Sequence, residues 1–216
     1  LRLINLEVCR PPLPDAELVE LVASACREEY GTGPDLLARI EDRDLGTVEV
    51  TGKFLRELPM TEAGNAECFT ELYGGRFRHV PEWRMWLKWN GSIWAEDKSQ
   101  AHKRGMLMTV RARGMAAQLL PDAEQRRLLA SWARQHETNA KINGALQLST
   151  VLPSVSAMPE QFDLDPWLVA MEGRTWDLSR NRPKKAEMGD YITRVLGAKY
   201  DAMAECPIWE KTLQEV

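Results

Sequence analysis

The stretch Thr61–Asp97, TEAGNAECFTELYGGRFRHVPEWRMWLKWNGSIWAED, carries the densest structural signal in the chain. The Thr61 hydroxyl can cap a helix and Glu62 suits the positive field of its first turn. Ala66, Phe69, Leu72 and Tyr73 then fall on one apolar stripe at helical spacing. Gly74 and Gly75 end that helix, because glycine takes the left-handed conformation without a Cβ clash. Asn90-Gly91 stands between WLKW and SIW, the dipeptide that most strongly signals a two-residue hairpin with positive φ at both central positions. The expectation is a capped helix, a glycine turn and a tryptophan-rich hairpin, with helices on either side.

After the hairpin, Lys98 to Leu120 reads as one long helix with Met106, Val110, Met115 and Leu119 among its apolar positions. Pro121 breaks it, and Asp122 caps a second helix carrying Leu128, Leu129 and Trp132. A third helix runs from Thr138 to Leu152 and stops at Pro153. Successive helices with short connections must bury their stripes against one another or against the hairpin. Further on, Trp167 to Met171 and Thr175 to Leu178 read as a strand pair joined at Glu172-Gly173. A loop, SRNRPKK, follows, then a helical or irregular DYITRVLGAKYD and a helix opened by Pro207. On the N-terminal side, Pro14 to Tyr30 reads as a helix stopped by Gly31, Pro34 to Glu41 as a second short helix, EDRDLG as a loop and TVEV, Thr47 to Val50, as a weak strand. The fold class expected is mainly α with small β elements (α+β): a helical bundle carrying a Trp-rich β-hairpin and a second short strand pair. Residues 1–57 read as an acidic, mostly helical linker or the end of a preceding domain, and 58–216 as the main domain.

At 216 residues the chain suits one or two domains, and 44% hydrophobic with 28% charged residues is ordinary for a globular protein. No apolar run approaches the roughly 20 residues that span a bilayer. The start, LRLINLEVCRPP, has no signal-peptide pattern, so a cytoplasmic protein without a membrane partner is expected. The chain opens on Leu1 rather than Met and stops at LQEV within a helical pattern, as expected of an excerpt from a longer protein. Cys9, Cys26, Cys68 and Cys206 are far apart, with no C-x-x-C and no histidine at ligand spacing, which favours free or buried thiols over zinc or a disulfide. The net charge of -4 conceals a segregation. Residues 1–75 carry 7 Lys+Arg and 15 Asp+Glu, residues 76–113 carry 9 and 3, and residues 114–216 carry 12 and 14. A basic middle in an acidic chain allows an anionic partner there.

Several chemistries lack their residues. There is no G-x-x-x-x-G-K-[ST] phosphate cradle and no G-x-S-x-G elbow, and His136-Glu137 has Ala140 where a zincin's second histidine must stand. His79, His102 and His136 are scattered and read as surface or half-buried residues rather than bases. Asp163 and Asp165, two apart, could hold Mg²⁺ for nucleotidyl transfer, but Pro166 follows at once and aspartates there commonly cap turns, so the structural reading is preferred. The four tryptophans from Trp83 to Trp94 could stack bases, yet core packing is the preferred reading. The basic residues are the better candidates for phosphate contact. Lys103, Arg104, Arg111 and Arg113 gather on the long helix with no acidic residue between Lys98 and Asp122, and Arg180, Arg182, Lys184 and Lys185 gather in the later loop.

The ordered landmarks resemble the domain that precedes the superfamily III helicase in phage and plasmid primase–helicases of the poxvirus type. That family carries a Thr, Gly-Asn-Ala, R-x-V-P and a W-x-x-W-x-G-x-x-W hairpin. Here Gly64-Asn65-Ala66, Arg78 to Pro81, Trp86, Trp89, Gly91 and Trp94 match. Phe162 to Pro166, Asp177-Leu178, Asp190 to Thr193, Tyr200-Asp201 and Cys206 to Trp209 agree in turn, so the likeness covers residues 58–216. Glu172-Gly173-Arg174 departs from the family's Asn-Gly before the Asp-Leu strand, and neither the ATPase nor a primase is visible. The resemblance implies a non-catalytic connecting or collar domain of a replicative primase–helicase. It implies DNA, the parent's own primase and helicase domains and a homo-oligomeric ring as partners, with ATP and Mg²⁺ used by the parent and no cofactor in this fragment. It also favours the structural reading of Asp163 and Asp165. The alternatives are an interaction and oligomerisation module without DNA contact, and a metal-dependent nucleotidyl transferase.

Overall fold

Local signals set most element boundaries in the computed structural model, which describes residues 39–42, 45–172, 174–197, 201 and 203–214. The helix expected over 14–30, Cys9 and Cys26 lie outside the described residues. In chain order the elements are β1 Arg39–Asp42, β2 Gly46–Glu49, α1 Phe54–Glu57, α2 Glu62–Tyr73, β3 Phe77–Val80, β4 Met85–Trp89, β5 Trp94–Glu96, α3 Ala101–Ala116, α4 Ala123–Gln135, α5 Asn139–Ser149, β6 Leu168–Met171, β7 Arg174–Asp177, β8 Arg182–Lys184 and α6 Pro207–Gln214. Helices with three small antiparallel sheets make an α+β fold. No helix among the described residues is long and apolar enough to cross a membrane. The contacts divide into two units, residues 1–68 with 104–145 and residues 69–103 with 146–216.

In the first unit, β1 and β2 form a hairpin in which Ile40 pairs with Val48. The helix expected through Glu41 and the loop expected from Glu41 are both corrected here. Apolar Ile40 and Val48 share a register, and Gly46 at φ 77 supplies the left-handed turn that returns the chain. Thr61 Oγ1 accepts from the Gly64 N–H at 3.1 Å, the expected cap of α2. Asp122 likewise caps α4 by accepting from Gln125 N–H at 2.8 Å. A Cβ on Gly114 of α3 would stand 3.0 Å from the Ala133 Cβ of α4, so the missing side chain lets these two helices approach closely. The long helix ends sooner than its apolar pattern suggests: α3 stops at Ala116, and a 3₁₀ turn continues over Ala117–Leu119.

The second unit holds two three-stranded antiparallel sheets, β3-β4-β5 and β6-β7-β8. Each adds a strand to an expected pair. Phe77–Val80 pairs with β4, and Arg182–Lys184, expected as loop, pairs with β7. The β4–β5 return is wider than the two-residue turn expected. Gly91 alone takes positive φ there, while the Asn90 side chain accepts from the Ser92 and Ile93 N–H groups at 2.9 Å each, closing a longer Asx turn. Trp86 and Lys88 share one face of β4 while Leu87 and Trp89 share the other, as alternation requires. Phe69 and Tyr73 cover the Trp86 face. Ala157, Phe162 and Tyr191 cover the other, where Trp94 is 1% exposed. The Arg78 guanidinium lies against the stacked rings of Trp94 and Tyr191, 4.8 and 5.8 Å from their centroids, and donates to the Gly74, Phe77 and Ser154 carbonyls and to the Tyr191 hydroxyl.

Candidate nucleic-acid interface

The eight basic residues expected to meet phosphates are sorted by burial and by partners. Arg113 is removed from the set. It is 0% exposed, and its guanidinium donates to Leu55 O at 3.1 Å, Asn65 Oδ1 at 3.0 Å, Pro59 O at 3.0 Å and Leu58 O, over the face of Trp132 at 4.7 Å. Burial pushes its pKa below the ordinary arginine value, yet a guanidinium keeps its charge, so this is an internal cation held by oxygens. A Cβ on Gly64 would stand 2.0 Å from Pro59 O. The Gly-Asn-Ala motif is thereby explained. Gly64 admits the carbonyl, and Asn65 supplies an oxygen to the same cation. The sequence did hold a signal for this. Arg113 lies seven residues after Met106 and three after Val110, on the apolar stripe of α3, so its charge sits where a buried side chain was due.

The remaining helix residues offer less free charge than their spacing suggests. Arg111 is exposed but bonded to Glu137 at 3.0 Å, and Lys103 and Arg104 are half-buried. At the second cluster, strand β8 replaces the expected loop and gives each side chain a fixed register. Lys184 is half-buried and bridges Asp190 at 2.7 Å and Glu187 at 3.3 Å. Arg180 is exposed and holds Asp177 at 2.6 Å. Hydrogen bonds from Ser179 and Arg180, in that order, lower the Asp177 carboxyl to about 2. Arg182, opposite Asp177 in the register, and Lys185 are exposed, and their side chains have no hydrogen bond or ion pair among the described residues.

The two aspartates hold backbone, Asp165 within a local turn and Asp163 by tying down Thr193, 30 residues on. Asp163, at φ 54, accepts from the Thr193 N–H at 2.8 Å and from the Thr193 hydroxyl at 2.5 Å, and Asp165 accepts from the Trp167 N–H at 2.9 Å. They border a groove of about 250 Å³ along the outer edge of β6 with Leu168, Ala170, Ile192 and Val195. No cluster of three or more metal-ligating side chains occurs among the described residues.

His79 is half-buried, within the surface or half-buried positions expected, and the other two histidines depart from them. His102 and His136 are buried. His102 Nδ1 lies 2.7 Å from Asp97, and its ring stacks on Trp86 at 4.7 Å. Asp97 also accepts from the His102 backbone N–H at 2.8 Å, which is why α3 begins three residues later than Lys98. Burial would raise the Asp97 carboxyl, but hydrogen bonds from His102, Ala101 and Ser99 outweigh it and hold the group well below the usual carboxylate range.

With the tryptophan sheet, the Arg78 contacts and the Asp163–Thr193 link placed, the family follows from comparison. The family model described as D5 N terminal like matches residues 66–216. The chain belongs to this family. The D5 N-terminal-like domain occurs in phage, plasmid and viral primase–helicase proteins. No curated protein matches the chain. The matched residues of this D5 N-terminal-like domain include both three-stranded sheets and every basic residue of the candidate interface.

Proposed function

We propose that this D5 N-terminal-like domain contacts DNA and helps assemble a replicative primase–helicase, linking a primase to a superfamily III motor without chemistry of its own. The observation that carries the reading is the edge formed by β7, β8 and their turn. Residues 174–185 hold five basic side chains against one acidic, Asp177, and that acid is neutralised by Arg180. The Arg182 and Lys185 side chains are left exposed, without an ion pair among the described residues. Such cations displace condensed counterions from a phosphate backbone, which gives affinity without base contacts. DNA, the parent's own primase and helicase domains and further copies in a ring are the partners in this reading. ATP and Mg²⁺ belong to the parent's motor.

Fluorescence anisotropy with labelled DNA, titrated from low to moderate salt, tests the DNA contact. Binding should weaken steeply with salt, and Arg182→Ala with Lys185→Ala should reduce the log–log slope by about 2. Absence of binding at low salt, or an unchanged slope, overturns it.

A further inference from the structure

Two non-glycine residues in left-handed backbone meet in the second unit. Asp163 lies at φ 54 and Tyr191 at φ 47, and the Asp163 N–H donates to the Tyr191 carbonyl at 3.0 Å. A side chain makes that conformation costly, so it persists where surrounding bonds impose it. Tyr191 opens the segment YITRVL, residues 191–196, which runs from one three-stranded sheet to the other. The Tyr191 ring packs with Trp94 and Phe162 in the core of the first sheet, at 6.2 and 5.3 Å between ring centroids. The Trp94 N–H of β5 then donates to the Ile192 carbonyl at 2.8 Å, and the Leu196 N–H donates to the Ala170 carbonyl of β6 at 2.9 Å. One segment thus caps an edge of each sheet.

The apolar packing beneath this segment is small. Ile93, Ala170 and Ile192 form its buried cluster, against Val80, Leu87, Trp94, Ala157 and Phe162 in the first sheet's core. The groove of about 250 Å³ lies along the same contact, lined by Leu168 and Ala170 of β6 and by Ile192 and Val195, and Val195 and Leu196 are 49% and 52% exposed. Lys184 of β8 holds Asp190 at 2.7 Å just before the segment begins. Its midpoint is held by one side chain. Asp163 accepts from both the N–H and the hydroxyl of Thr193, between the β5 contact at Ile192 and the β6 contact at Leu196. Hydrogen bonds to a carboxylate are stronger than those between neutral groups, and here two converge on one residue. We infer that residues 191–196 are a latched strap, in which the Asp163–Thr193 pair holds the β6-β7-β8 sheet to the β3-β4-β5 core. Loosening the latch lets the second sheet open without unfolding the first, and uncovers the β5 and β6 edges together. The inference does not depend on DNA contact.

The test is amide hydrogen exchange, followed by NMR on the full 216-residue chain. Thr193→Val removes the hydroxyl donor and keeps the side-chain shape. Asp163→Gly removes both bonds while still allowing the left-handed backbone. Thr193→Val should speed exchange about tenfold at the β6-β7-β8 amides and at the strap-bonded amides of Trp94 and Leu196. Asp163→Gly should speed it further, and the amides that pair β3 with β4 should stay within about twofold of the wild type in both variants. Equal acceleration in the two sheets would mean that they open only together, and unchanged exchange in the second sheet would mean that the pair does not restrain it. Either result overturns the inference. If Asp163→Gly does not fold, Thr193→Val alone decides.

Discussion

The β3-β4-β5 sheet is covered on both faces, and the β6-β7-β8 sheet on one. In the first, Phe69 and His102 lie against Trp86, while Ala157, Phe162 and Tyr191 pack with Trp94. In the second, Ala170 and Thr175 are buried beneath while Trp167 stands in solvent. Their cations differ in the same way. Arg78 lies against two stacked aromatic rings and donates to four oxygens, whereas the Arg182 side chain is exposed and has no hydrogen bond or ion pair among the described residues. Both sheets are three-stranded and antiparallel, so what differs is coverage, which makes one sheet a core and leaves Trp167 of the other exposed. A tryptophan or arginine in this domain therefore acquires its role from what packs across from it.

The sharpest break of this contrast is Trp94→Ala. It opens a cavity and leaves the Met188 carbonyl without the indole N–H that donates to it at 2.9 Å. Urea unfolding should show a loss of about 3–5 kcal/mol. A midpoint equal to the wild type's would mean that the first sheet is no core. Next is Arg78→Lys, since an ammonium cannot reproduce the planar fork or the stacking. A loss of about 2 kcal/mol is expected in the same assay, against less than about 0.5 kcal/mol for Arg182→Ala.

Acid titration compares the sheets through Asp97 and Asp177. Both carboxyls are depressed in the folded state, so the stability they contribute is present above the unfolded carboxylate pKa of about 4 and is lost as pH falls toward the folded value, about 2 for Asp177. Asp97→Asn and Asp177→Asn should each lower stability at pH 7 and flatten the loss between pH 4 and 2, with Asp97→Asn the larger because its carboxylate is buried beside His102. Midpoints that fall with acid as steeply as in the wild type would show that these bonds are not the cause. The smallest effect belongs to the open face: Trp167→Ala should change unfolding by less than about 0.5 kcal/mol. A loss near that of Trp94→Ala would erase the difference between the sheets.

Much of the secondary structure was legible because its causes are local. Thr61 and Asp122 act within one helical turn, and β4 alternates as a strand must; α2 does end before Gly74, but neither Gly74 nor Gly75 takes the left-handed conformation expected of that stop. The misread pieces depend on partners distant in sequence or on a short strand with no pattern of its own. Phe77–Val80 and Arg182–Lys184 are strands because β4 and β7 offer them unpaired edges, and Arg39–Asp42 because β2 returns beside it. The candidate site was legible only as a list of charges. Spacing put Arg111 and Arg113 on one helix, but the Leu55, Leu58 and Pro59 carbonyls took Arg113 inward and Glu137 took Arg111.

The sequence by itself determined the helices and turns, the tryptophan-rich hairpin and the family landmarks, since each is encoded by residues within a few positions of one another. Only the tertiary structure decided that Arg113 is an internal cation, that Asp163 ties down Thr193, 30 residues on, and that Trp167 is left exposed. Periodicity tells which side chains share a face, but burial depends on which other part of the chain lies across it, and no local pattern carries that information.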